Sequence, residues 1–77
     1  MTQLSKYLKE CRLEHEMSQR QVAELLRIDR STYSYYEAGR YIPPIPILLR
    51  LSKLFNVPYL RLFEIINEDL GIDAVVD

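Results

Sequence analysis

Apolar positions along this chain recur with a period near 3.6 rather than 2, so the elements it predicts are helices. Leu4, Tyr7, Leu8 and Cys11 stand at i, i+3, i+4 and i+7, while Lys6, Lys9, Glu10 and Glu14 fall on other sides, which predicts a first amphipathic helix. Ser18 followed three positions later by Gln21 satisfies the capping-box pattern, in which each side chain answers one orphan backbone N–H, and a second helix begins there. Val22, Leu25 and Leu26 share one side of it, Ala23 is small enough for another helix to approach closely, and it ends near Leu26. Only Arg27 and Ile28 intervene before Asp29, a good N-cap, and a third helix from Arg30 to about Ala38. Tyr33 and Tyr36 lie three apart and, with Ile28, are expected to face inward, leaving Arg30, Ser31, Ser34 and Tyr35 on the outer side.

Gly39 suits the left-handed position that closes such a helix, and Arg40-Tyr41-Ile42-Pro43-Pro44 is a loop because proline restricts its predecessors. A fourth helix follows, with Pro46 tolerated in its first turn and an inward stripe of Leu48, Leu51, Leu54 and Phe55. Asn56-Val57 breaks it, and Pro58 opens a fifth helix in which Tyr59, Leu62, Phe63 and Ile66 recur at helical spacing and Gly71 marks the latest stop. The expected fold class is therefore all-α, a five-helix bundle. Its second and third helices, joined by so short a connection, describe a helix-turn-helix, although periodicity alone leaves other small bundles open.

Composition narrows the function. Seventy-seven residues leave room for one domain and exclude a large catalytic fold. No apolar run approaches the roughly 18 residues of a membrane span, and the charged amino terminus lacks the pattern of a signal peptide, so a cytoplasmic location is expected. The net charge of −1 hides an asymmetry: residues 1–63 hold all ten Lys and Arg against six acids, whereas Glu64, Glu68, Asp69, Asp73 and Asp77 follow without a base. A mildly basic body suits nucleic acid. We accordingly divide the chain into a domain over residues 1–67 and a short acidic tail over 68–77.

Candidate chemistry of other kinds is sparse. Cys11 and His15 stand at i, i+4, but two ligands close no metal site, and a core Cys beside a surface His is the simpler reading. No nucleophile comes with a base and an orienting group, and no glycine loop cradles phosphate, so neither catalysis nor a cofactor is expected. The aromatic residues at helical spacing read as core.

The segments Leu8-Lys9-Glu10-Cys11-Arg12, Ser18-Gln19 with Val22-Ala23, and Asp29 through Arg40 with its Glu37-x-Gly39-basic ending, followed by Pro43, Leu48, Leu51, Lys53 and Asn56-Val57, together resemble the DNA-binding domain of the phage repressor and Cro (Xre-type) family. The resemblance runs from Leu8 to Leu62. It implies that the third helix reads the major groove of duplex DNA, that Arg12 and Glu37 form a structural salt bridge, and that Arg40 and Tyr41 contact phosphates. Three departures stand out: Glu16 and Arg27 replace customary glycines, so that either the turns shift or some strain is tolerated, and Pro44 replaces a Ser or Thr cap, which allows a shifted start of the fourth helix.

Roles follow from this frame. Arg30, Ser31, Ser34 and Tyr35 are the base-reading candidates; Arg30 either pairs bidentately with guanine, clamps a phosphate or pairs with Asp29, and Tyr35 either touches DNA or covers the bundle. Gln19, at the start of the second helix, and Arg27, Arg40 and Tyr41 are the phosphate-binding candidates. A homodimer is expected, through the fifth helix and the apolar residues Ile65, Ile66, Leu70, Ile72, Val75 and Val76, the alternative being that these residues merely finish the core or fray. Small proteins of this kind include phage repressors, restriction–modification controllers and antitoxins. The alternative is a protein-interaction module, such as an antitoxin, whose acidic tail engages a protein partner.

Overall fold

Helices α1 (Gln3–Glu14), α2 (Gln19–Leu26), α3 (Arg30–Glu37), α4 (Ile45–Phe55) and α5 (Tyr59–Leu70) follow one another in a computed structural model that describes residues 2–71. The fold is all-α. Ser18 and Gln21 form the expected capping box, Ser18 Oγ accepting from the Gln21 N–H at 3.0 Å and Gln21 Oε1 from the Ser18 N–H at 2.8 Å. Thr2 and Ser5 make the same reciprocal pair at the head of α1. Asp29 occupies the N-cap of α3 with extended backbone, but its side chain makes no capping hydrogen bond. Pro44 is itself the N-cap of α4, with Pro46 in the first turn, so the proline does not shift the helix start.

Four helices end with the same geometry. After α1, the Glu16 N–H donates to Leu13 O and the Met17 N–H to Arg12 O; after α2, the Arg27 N–H donates to Glu24 O and the Ile28 N–H to Ala23 O. The ends of α3 and α4 repeat this pair of bonds around Gly39 and Asn56. Each is a Schellman closure, which requires one residue in the left-handed region. Glu16 (φ 55°), Arg27 (φ 60°) and Asn56 (φ 55°) take that conformation as Gly39 (φ 76°) does. Of the two outcomes open at Glu16 and Arg27, the turns keep their geometry and the chain accepts the strain, about 1–2 kcal/mol at each non-glycine site.

The core lies where α1 meets α3 and α5, α2 meets α3 and α4, and α4 meets α5. Leu8, Val22, Leu26, Leu51 and Leu62 are fully buried there with Tyr33, each aliphatic burial stabilising by roughly 1.5–3 kcal/mol. Three positions depart from the expected stripes. Leu25 is 57% exposed because Ala23 packs into the interface and draws the buried arc of α2 away from it. Tyr59 is 56% exposed, since a side chain on the first residue of α5 tilts back toward the helix start, past the packed turns. Ile65, assigned above to a dimer interface, is buried in the core at 2% exposure, because α5 packs on α1 as well as α4 and so needs two adjoining apolar rows.

The acidic end is also partly structural. Asp69 accepts from the Gln3 N–H through Oδ1 and from the Leu4 N–H through Oδ2, both at 2.9 Å, and so satisfies two orphan donors of α1 with a charge placed favourably at the helix start. Since α5 continues to Leu70 before Gly71 closes it, a tail drawn from residue 68 begins inside this helix. Ile72, Asp73, Val75, Val76 and Asp77 lie outside the described residues.

Candidate nucleic-acid interface

The inner side of α3 is locked by burial and charge. Tyr33 and Tyr36 enter the core in an edge-to-face pair, and Glu37, only 4% exposed, turns toward α1. Arg12 grips its carboxylate with two bonds, Nε to Oε2 at 2.6 Å and Nη2 to Oε1 at 3.0 Å, while its Nη1 donates to Met17 O at 2.9 Å. The Gln19 amide adds a further bond, Nε2 to Glu37 Oε1 at 3.1 Å. The carboxylate thus ties α1, the first residue of α2 and the last of α3 together, and Arg12 extends the hub to the loop before α2. The sequence-predicted salt bridge between Arg12 and Glu37 is present.

Burial alone would raise the pKa of Glu37. The donors facing it from Arg12, Tyr33 and Gln19 outweigh that cost, and its carboxyl titrates below the usual carboxylate range. The Tyr33 hydroxyl is buried beside this group without completing a hydrogen bond of good geometry; burial and the neighbouring carboxylate push its ionisation far upward. The same bonds hold the Arg12 guanidinium more firmly protonated than usual.

The outer side of α3 is chemically unlike the inner one. Arg30 and Ser31 are exposed in its first turn, and Ser34 is half-buried one turn later. Among the described residues Arg30 forms no ion pair, so the alternative of a pair with Asp29 is not realised. Tyr35 meets two residues from the following loop: the Arg40 guanidinium carbon lies 5.4 Å from its ring centre, and the Tyr41 ring stands edge-on at 5.4 Å between centres. These interactions join a base-reading candidate to two phosphate-binding candidates in one exposed cluster. Tyr35 retains 38% exposure within it and Tyr41 61%.

Gln19 and Ser34 are brought to one concavity, whose remaining lining is Lys9, Arg12, Glu37 and Ala38. Arg27 stands apart from both groups, exposed at the left-handed end of α2. Sequence reasoning placed Lys9 only on the polar side of α1, although its i, i+3 spacing from Arg12 was a signal that it shares the side facing Glu37 and Gln19. Arg50, given no role from the sequence, donates from Nη1 to Leu26 O at 2.9 Å and so braces the end of α2 with a cation. Among the described residues there is no cluster of three metal-ligating side chains and no helix long and apolar enough to cross a membrane.

The geometry is that of two short helices, α2 and α3, joined by a tight turn, supported by three others, with one helix side left polar and open. A family model described as helix-turn-helix matches residues 8–62, which covers more than half of the chain. No curated protein and no solved structure matches it. The matched span begins in α1 and ends in α5, so it takes in every element that positions the outer side of α3, and the chain belongs to the phage repressor and Cro-like (Xre-type) helix-turn-helix family of DNA-binding regulators.

Proposed function

We propose that this DNA-binding regulator reads a specific duplex sequence by laying α3 in the major groove. The observation that carries the reading is the contrast across α3: Arg30, Ser31 and Ser34 emerge from a helix whose other side is fixed by core packing and by the Glu37 hub. A rigid helix with an open hydrogen-bonding side meets the requirement for direct readout, since base edges in the major groove distinguish all four pairs. Gln19, Arg40 and Tyr41 are the phosphate contacts beside that side, and Arg27, at the end of α2, is a further one. Gln19 serves through its first-turn backbone N–H and the remaining donor of its amide, because one amide hydrogen goes to Glu37.

The regulator acts as a homodimer. One small module offers few base contacts, and a two-fold pair places two copies of α3 in successive major grooves about 34–36 Å apart. With Ile65 committed to the core, what supports pairing is the apolar surface that remains: Leu49 and Tyr59 line one open groove between α4 and α5, Ile45 precedes Leu49 by one turn, and Leu70 is exposed near the end of α5.

Selection of binding sites from a randomised duplex pool at near-physiological salt tests both parts. Recovery of a palindrome with half-sites one helical turn apart is the expected result. No enrichment overturns the reading as a sequence-specific regulator, and a strict monomer in sedimentation, with and without the selected duplex, overturns the dimer.

A further inference from the structure

We propose that Lys9 of α1 is a phosphate-contacting residue, and that the concavity between α1, α2 and α3 seats one phosphate of the DNA backbone. The proposal rests on the duplex-reading function above and adds a contact from a helix to which that function gave only a structural residue. Lys9, Arg12, Gln19, Ser34, Glu37 and Ala38 line this concavity. Arg12 and Glu37 cancel each other through two direct hydrogen bonds, so Lys9 leaves the depression with a balance of +1.

Lys9 is exposed, and among the described residues it enters no ion pair, so an anion arriving there displaces no acid from it. The polar neighbours are neutral donors: the Ser34 hydroxyl, and the Gln19 amide, whose second hydrogen remains available after the bond to Glu37. Glu37 is a positioning residue here, because its bond turns the Gln19 amide nitrogen into the concavity and fixes it. A monoanionic phosphate ester fits this set of one mobile cation and two neutral donors. The position fits as well, for Ser34 belongs to the outer side of α3, and a backbone phosphate beside the groove that α3 enters lies next to it.

A cation contacting phosphate releases about one counterion, so it registers in the salt dependence of binding rather than in sequence preference. The test measures the affinity of the full chain for its selected duplex and for an unrelated duplex across a range of salt, for the wild type, Lys9→Gln, Lys9→Arg and Lys6→Gln. Lys6 serves as the control because it lines a different depression, with Tyr7, Glu10 and Arg61. The expected result is a log–log slope lower by about one per subunit for Lys9→Gln, weakening on both duplexes alike, recovery in Lys9→Arg, and no change in the thermal midpoint.

An unchanged slope in Lys9→Gln overturns the seat while leaving the duplex-reading function standing. An equal fall in Lys6→Gln also overturns it, because the effect then belongs to net charge and not to this concavity. Absence of any duplex binding by the wild type overturns the underlying function, and the seat with it.

Discussion

The two sides of α3 use their polar groups in opposite ways. On the inner side, Glu37 is nearly inaccessible, and its carboxylate accepts from Arg12 twice and from Gln19 once. On the outer side, Arg30 and Ser31 are exposed, and only Tyr35 is engaged, by Arg40 and Tyr41. The carboxylate that holds the fold is buried and saturated, whereas groups available to a partner stay solvated and keep their hydrogen-bonding capacity. The contrast explains how one eight-residue helix can be both an anchor and a reading surface.

The sharpest way to break this contrast is to remove the anchor. Glu37→Ala should cost about 3–5 kcal/mol, because it strands the largely buried Arg12 guanidinium, and chemical denaturation will measure the loss. A double replacement, Arg12→Met with Glu37→Leu, should cost less than Glu37→Ala alone; a larger cost would mean that the pair contributes more than its own desolvation.

Next in size is the opposite side. Arg30→Ala should leave the denaturation midpoint unchanged and lower discrimination at one base pair of the selected site by about 1–3 kcal/mol. If the same variant weakens all duplexes equally, Arg30 is a phosphate contact and base reading shifts to Ser31, Ser34 and Tyr35.

Acid reaches the anchor through Glu37. The folded pKa of Glu37 lies below its unfolded value near 4.5, so its ionised form stabilises the fold fully above that pH, and this contribution is lost as pH falls through the folded value. Thermal midpoints of the wild type should therefore drop on acidification below about 4.5 more steeply than those of Glu37→Gln. Parallel curves for the two proteins would remove Glu37 from the acid response.

The smallest effect comes from the turns. Glu16→Gly should stabilise by roughly 0.5–1 kcal/mol, the relief of left-handed strain less the added freedom of glycine in the unfolded chain. Arg27→Gly should stabilise by a similar amount yet lower the salt slope of DNA binding by about one per subunit. Stabilisation in both variants with no change of slope in Arg27→Gly would confine Arg27 to the turn. Gly39 differs from these two, since a Cβ there would meet the Thr2 backbone nitrogen at 3.2 Å, so another residue would push the start of α1 away from the end of α3 by a few tenths of an ångström.

Local interactions were legible without the structure. The Ser18–Gln21 box, the Gly39 and Asn56–Val57 stops and the inward placement of Tyr33 and Tyr36 involve neighbours within a turn or two, whose geometry the helix itself sets. The Arg12–Glu37 bridge was legible only through resemblance to a family, because nothing in the spacing of two residues 25 apart brings them together. Tyr59 and Ile65 were misplaced for a related reason: a helix packed on two neighbours has a wide apolar arc, and periodicity does not say which edge of the arc is covered.

The sequence by itself determined the five helices, the Ser18–Gln21 cap, the stops at Gly39 and Asn56, the all-α class and the polar outer side of α3. These depend on side chains competing for backbone groups a few residues away. Only the tertiary structure decided that Asp69 caps α1 from 65 and 66 residues along the chain, that Arg50 braces α2, that Tyr35, Arg40 and Tyr41 cluster, and that Lys9 opens onto the concavity shared by Gln19 and Ser34. Such partners are chosen by how helices pack in three dimensions, where chain separation costs little once the core has brought the segments together.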